Sequence, residues 1–265
     1  MHIKPQIKKY LDCAKKIFDS QKFDFNEGEW YQIDTNGINR GFDVAFNHQL
    51  WFAAIGLELN NYVKNEKISF KIEKYIEKLD DNFKIYGNGM IKHLGRRKKK
   101  LPIVNKIKKS IKRLYPFFIT KKSPDTLSVI SFESAYQLFN LYGFAIIKQY
   151  RPDLPFFYSK KFLKALNYGM NIKKLNKIFN THPNYNEKTC KYAYPYNSPA
   201  FEYGYIAEVF NYEYSNDLIM ELLNIQKELC YCYKSKCYDK NTFDANTLTA
   251  RIYELVRFLE VMDNE

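Results

Sequence analysis

Asn47, His48 and Trp51 stand together in the segment AFNHQLWFAAIGLEL. On a helix Asn47 and Trp51 are four residues apart and His48 and Trp51 three, so their side chains share one broad face. An imidazole beside a carboxamide suits β-elimination on a uronic acid. That reaction needs a group to neutralise the sugar carboxylate, a base for the proton on the neighbouring carbon, and an acid for the leaving oxygen. Asn47 is the candidate for the first task and His48 for the second. The competing role for His48 is a core histidine bonded to a neighbouring helix.

The acid must come from another element. In SFESAYQLFNLYGFAII, Tyr136 and Asn140 lie four apart on one face, with Glu133 one turn earlier. Tyr136 is the candidate acid, Tyr142 its alternative, and Asn140 a candidate substrate contact. The chain holds 23 tyrosines, so packing competes with catalysis for each of them. Arg40 sits in TNGINRGFD, where Asn36-Gly37 and Gly41 mark turns. It is a candidate clamp for a sugar carboxylate, with surface capping as its other role. Trp30 and Trp51 are candidate stacking platforms for pyranose rings. Glu202, in SPAFEYGYIAEVF, and Arg251 and Glu254, in NTLTARIYELVRFLE, belong to segments of buried type, where charges must be paired. A structural Glu–Arg pair is expected; Glu202 is also a candidate substrate contact, and as a catalytic carboxylate it would point to a hydrolase. His182 lies in a long polar loop. The spacing Cys230-x-Cys232-x4-Cys237 does not match a zinc knuckle, and neither metal nor cofactor is expected.

FNHQLWFAA resembles the Asn-Asn-His-x-x-Trp helix of the alginate lyase family and related α/α-toroid polysaccharide lyases, with Phe46 in place of the first Asn. A downstream stretch of that family is similar to SAYQLFNLYGFA here. The resemblance implies that Asn47 and His48 perform neutralisation and proton abstraction and that Tyr136 is the acid. It covers about nine residues firmly and about a dozen more loosely.

Apolar periodicity near 3.6 runs through most of the chain and period-two runs are almost absent. Helices are expected over about 4–20, 43–60, 66–80, 103–115, 129–150, 160–169, 172–180, 199–213, 216–236 and 246–262. Those at 43–60, 129–150 and 199–213 are apolar almost all round, whereas the helices that follow them are charged on one face. Such alternation predicts an all-α fold of the α/α-toroid class, an incomplete ring with inner helices lining a cleft and outer helices coating them. An irregular bundle or a solenoid is the rival. The whole chain, 1–265, reads as one such domain.

The 42 Lys+Arg against 29 Asp+Glu give a net charge of +13. From Lys92 to Lys122 there are 13 basic residues and no acidic one, and the other 234 residues carry 29 of each sign. The net charge therefore belongs to one basic insertion at about 92–122. Within it Ile103, Ile107, Ile111, Leu114 and Phe118 recur at helical spacing, which suits an anionic membrane surface through 96–118 or an acidic polysaccharide beside the cleft. Nucleic acid ranks below both, because no recognition motif accompanies the basic run. No apolar run is long enough to span a bilayer and Met1 to Ser20 lacks the layout of a secretory signal, so a cytoplasmic location, peripheral to the inner membrane face, is expected. The five cysteines are then reduced thiols.

These features lead to a carbohydrate-active enzyme, a lyase cleaving a uronate-containing polysaccharide. The alternatives are a toroid glycoside hydrolase or uronyl epimerase using Glu202 or Glu133, and a non-catalytic module binding membranes or anionic polymers.

Overall fold

A computed structural model describes residues 5–95, 127–174 and 196–263, apart from residue 243. The expected helix at 103–115, the membrane-docking stretch 96–118, most of the expected helix at 172–180, and His182 fall outside the described residues.

The described chain is mostly helical, as expected. Helix α1 spans Pro5–Ser20. Three short strands follow, β1 (Phe23–Asp24), β2 (Glu29–Ile33) and β3 (Asn39–Phe42), forming an antiparallel sheet in that order. Next come α2 (Phe46–Val63), α3 (Glu66–Glu77) and α4 (Leu79–Asn82). Helix α5 runs Leu127–Tyr150, α6 Lys160–Gly169, α7 Pro199–Val209 and α8 Asn216–Cys230. A two-stranded hairpin, β4 (Tyr231–Cys232) with β5 (Cys237–Tyr238), leads to α9 (Ala245–Ala250) and α10 (Ile252–Met262).

The small sheet and the hairpin are additions to this mostly helical fold that the periodicity does not predict. Strands of two to five residues, such as EWYQI, are too short to display a period of two. The helix expected over 216–236 stops at Cys230, since Tyr231 adopts extended backbone (ψ 132°) and pairs with Tyr238.

Several helices begin where a side chain accepts an amide hydrogen bond that the first turn cannot satisfy internally. Asn65 accepts from Ile68 N (3.1 Å), Ser159 from Phe162 N (3.1 Å), Ser215 from Leu218 N (3.2 Å) and Asp244 from Thr247 N (3.0 Å). The helices that are apolar all round, α2, α5 and α7, pack in series, α2 on α5 and α5 on α7. Their amphipathic successors coat them, α3 on α2, α6 on α5 and α8 on α7. That layering follows from the distribution of polar residues, because a helix without a polar face must be covered on every side. Helix α10 packs on α7 and reaches the other inner helices through polar contacts. The Tyr142 hydroxyl donates to Glu254 O (3.1 Å), and Arg257 pairs with Glu58 of α2 (2.7 Å). One buried cluster runs through all of these elements, from Phe18 to Phe258. No helix among the described residues is long and apolar enough to cross a membrane.

Candidate functional site

The site is assembled where the small sheet feeds α2. Gln49, on the first turn of α2, donates through Nε2 to Trp30 O and Asp43 O and accepts from Trp30 N, each at 2.8 Å. A buried carboxamide thus ties both β2 and the chain at Asp43 to the helix. Asp43 Oδ1 accepts from Ala45 N (3.1 Å), which leaves Oδ2 for His48 Nδ1 at 2.8 Å. The His48 side chain is half-exposed, at 48%, while Asp43 retains 17%. Burial works against the charged imidazole, but the hydrogen bond and charge of Asp43 outweigh it and hold the His48 pKa above its ordinary value. A carboxylate on Nδ1 fixes that nitrogen as the N–H, so in the neutral ring Nε2 carries the lone pair. Beside the pair lies a cavity of about 110 Å³ whose polar lining includes Gln21, Tyr31, Gln32, Asp43 and His48.

His93 connects this pair to α5. Its segment pairs with the chain entering α2, through Phe46 N to His93 O (2.8 Å) and Gly95 N to Val44 O (3.0 Å). From the other side α5 holds the same segment: Glu133 Oε1 accepts from His93 N (3.1 Å), and Gln137 Oε1 accepts from Ile91 N (2.8 Å). The His93 ring lies 4.9 Å from the Tyr136 ring, centroid to centroid. Burial, and then the charge of nearby His48, push the His93 pKa down to about 3, so this imidazole is neutral at every physiological pH. Burial raises Glu133, opposed by Tyr86, by the His93 amide and by Lys92.

The structure therefore brings His48 and Tyr136 to the same neighbourhood through His93. Among the described residues, Asn47, 5% exposed, has a buried Oδ1 without a hydrogen-bond partner, and Asn140, one turn beyond Tyr136 and 1% exposed, has neither amide atom partnered. Buried amides in proteins are nearly always satisfied, so these two mark places where a water or ligand atom is expected.

Other candidates lie elsewhere. Trp30 is 2% exposed and packs among Phe18, Phe23, Phe52 and Tyr75, so its faces serve the core rather than a sugar. Trp51 is partly buried, stacks on Phe139 (4.6 Å) and Tyr142 (5.8 Å), and donates to Phe139 O (3.2 Å), which makes it a joint between α2 and α5. Tyr142, the alternative acid, is wholly buried with its hydroxyl committed to Glu254 O. Arg40 is exposed and donates to Asp34 at the far end of the β2–β3 hairpin, through Nε at 3.0 Å. Glu202 is enclosed and ion-paired with Arg251, whose guanidinium also binds Glu254 (3.0 Å) and Asn197 (2.6 Å). That is the structural Glu–Arg pair the sequence led one to expect, in place of a substrate contact.

Asp43 and His93 went unremarked in the sequence. An Asp five residues before His48, at the entry to its helix, was a usable signal for an orienting carboxylate. His93 had none, because it reads as the first residues of the basic run.

The chain matches no family model and no solved structure. It is 26% identical over 251 residues to a protein of Haloferax volcanii named Archaeal glycosylation protein Q, an alignment covering 92% of this chain. The match spans 64% of the length of that protein.

Proposed function

We propose that the chain is a carbohydrate-active enzyme that removes a proton from a uronate sugar of a glycan, with β-elimination as the reaction. The observation that carries this reading is the Asp43–His48 hydrogen bond, which orients a half-exposed imidazole within electrostatic reach of His93, whose ring in turn packs on Tyr136. In the reaction, Nε2 of neutral His48 takes the proton from the carbon next to the carboxylate, and Asp43 stabilises the imidazolium that forms. Asn47 offers its carboxamide to the sugar carboxylate, where negative charge accumulates. Tyr136 gives its proton to the departing oxygen, and neutral His93 packs on the Tyr136 ring without adding a charge. The inner and outer helix layers would be an arc of an α/α toroid around this site.

The likeness to a protein named for glycosylation supports a glycan as the substrate. It also favours a second reading. An enzyme of glycan assembly would return the proton to the opposite face of the same carbon, leaving the chain uncut, and would be a uronyl epimerase. The hydrolase reading has less support, because Glu202 is enclosed in an ion pair with Arg251 and Glu133, the other candidate carboxylate, is buried and bonded to the His93 amide.

Incubation with soluble polyuronates, followed by ultraviolet absorbance, tests the proposal. An unsaturated product that disappears in His48→Ala is the expected result. Solvent deuterium entering the sugar without cleavage would establish the epimerase instead. New reducing ends without absorbance would establish hydrolysis and overturn both.

A further inference from the structure

Helix α6 carries a polar stripe that the site above does not use. Lys160, Lys164 and Asn167 follow at spacings of four and three, which places them along one face of α6, and Asn171 lies just beyond the helix end at Gly169. Lys174 continues the line. The opposite face, Phe162, Ala165, Leu166 and Gly169, is buried. These five polar residues, with Asn88 and Tyr168, line an open groove of about 500 Å³, and no carboxylate among the described residues lines it. Over 154–186 the sequence has six lysines and no Asp or Glu.

The groove's second wall is built for close approach. Gly89 has φ +101°, and a Cβ there would lie 2.5 Å from Lys164 O and 2.9 Å from Tyr168 Cβ. Only a glycine lets the turn at 86–90 sit on the helix and bring Asn88 to the groove. The Tyr168 hydroxyl contacts Met90 Sδ at 3.7 Å, and the Lys174 ammonium stands 4.0 Å from the Tyr168 ring centroid. Five residues after Asn88 the same segment supplies His93, so one short stretch of chain lines both groove and site.

We propose that this groove is a binding subsite for an acidic oligosaccharide. Three ammonium groups match carboxylates spaced along a chain, three carboxamides bond hydroxyls, and an aromatic ring supplies an apolar surface. The inference rests on the reading that the substrate is an anionic glycan, and makes the groove a remote part of its binding track.

The test measures binding without turnover. A galacturonate oligomer is titrated by calorimetry into His48→Ala protein. In that background Lys160→Ala, Lys164→Ala and Lys174→Ala are combined, and a control combines Lys8→Ala, Lys9→Ala and Lys16→Ala. The groove variant should lose about tenfold in affinity or more, and the control should change less than about twofold. Asn167→Ala with Asn171→Ala should weaken the oligomer severalfold yet leave tripolyphosphate binding unchanged. No binding by the His48→Ala parent, equal losses in groove and control variants, or identical responses of oligomer and tripolyphosphate would each overturn the proposal. Groove-dependent binding in a protein whose unsubstituted form turns over no polyuronate would refute the catalytic reading and leave the subsite standing.

Discussion

Arg251 is the position at which a single substitution should do most harm to the fold. Its guanidinium donates to Glu254 Oε1 and Oε2 (both 3.0 Å), to Tyr196 O (2.8 Å), to Asn197 Oδ1 (2.6 Å) and to Glu202 Oε1. Both carboxylates are completely buried. Arg251→Met keeps much of the volume but strands two acids in a medium that cannot solvate them, a loss of about 3–5 kcal/mol. An unfolding entropy of about 2.1 cal/mol/K per residue makes about 0.56 kcal/mol per kelvin for a chain of this length, so Tm should fall by about 5–9 °C. Glu202→Gln should behave differently. One guanidinium between two carboxylates can match only one negative charge, and burial, partly offset by Arg251, raises the Glu202 pKa well above its usual 4.5. Among the described residues its Oε2 has no hydrogen-bond donor to stabilise a negative charge. A raised folded pKa contributes stability that is complete below the unfolded value and disappears as pH rises through the folded one. Glu202→Gln should therefore cost less than about 1 kcal/mol at pH 7, and should look relatively better as pH rises. Denaturant melts of both variants at pH 5, 7 and 8 measure this. A loss below about 1 kcal/mol for Arg251→Met, or equal losses for both variants, would refute the account.

This triad also shows what a sequence can disclose. Glu202 stands in a helix with no polar face, and Arg251 and Glu254 in a segment of largely apolar residues, so pairing followed from the cost of burying a charge, before any coordinates. The three inner helices were legible for the same reason. Trp30 was not. Its neighbours Glu29, Gln32 and Asp34 give EGEWYQID the composition of a surface loop, yet the β2 strand turns Trp30 into the aromatic core. A strand of five residues carries too little alternation to announce which side faces inward. The site divided similarly. His48 and Tyr136 were legible from helical spacing, whereas His93 depends on a pairing between 44–46 and 93–95 that leaves no periodic trace. Local pattern reports which face of an element is buried, and says little about which distant segments lie side by side.

The core and the site give three further expectations. Trp30→Ala should destabilise by about 3–5 kcal/mol in denaturant melts, because the indole fills the space between α1, β1, α2 and α3; a stable variant impaired only in sugar binding would return Trp30 to the site. Gly204→Val should cost about 1–3 kcal/mol, since even a Cβ there would stand 2.9 Å from the Phe258 ring; a melt unchanged from that of the parent would contradict the packing of α7 on α10. The last concerns the two histidines, whose environments push them in opposite directions. Followed by NMR from pH 5 to 8, His48 should titrate above 6.5, whereas His93, pushed down to about 3, should stay neutral throughout. Asp43→Asn removes the charge that holds His48 up and leaves burial to act alone, so the His48 midpoint should drop below 6.5. If His48 is the base, it works only when neutral, and the rate must rise as pH passes its midpoint. Asp43→Asn should then carry that acid limb to lower pH while reducing the maximal rate, because the imidazolium formed in the reaction loses its partner. A limb that stays in place while the His48 midpoint moves would separate the imidazole from the chemistry, and the proton would have to leave through another group.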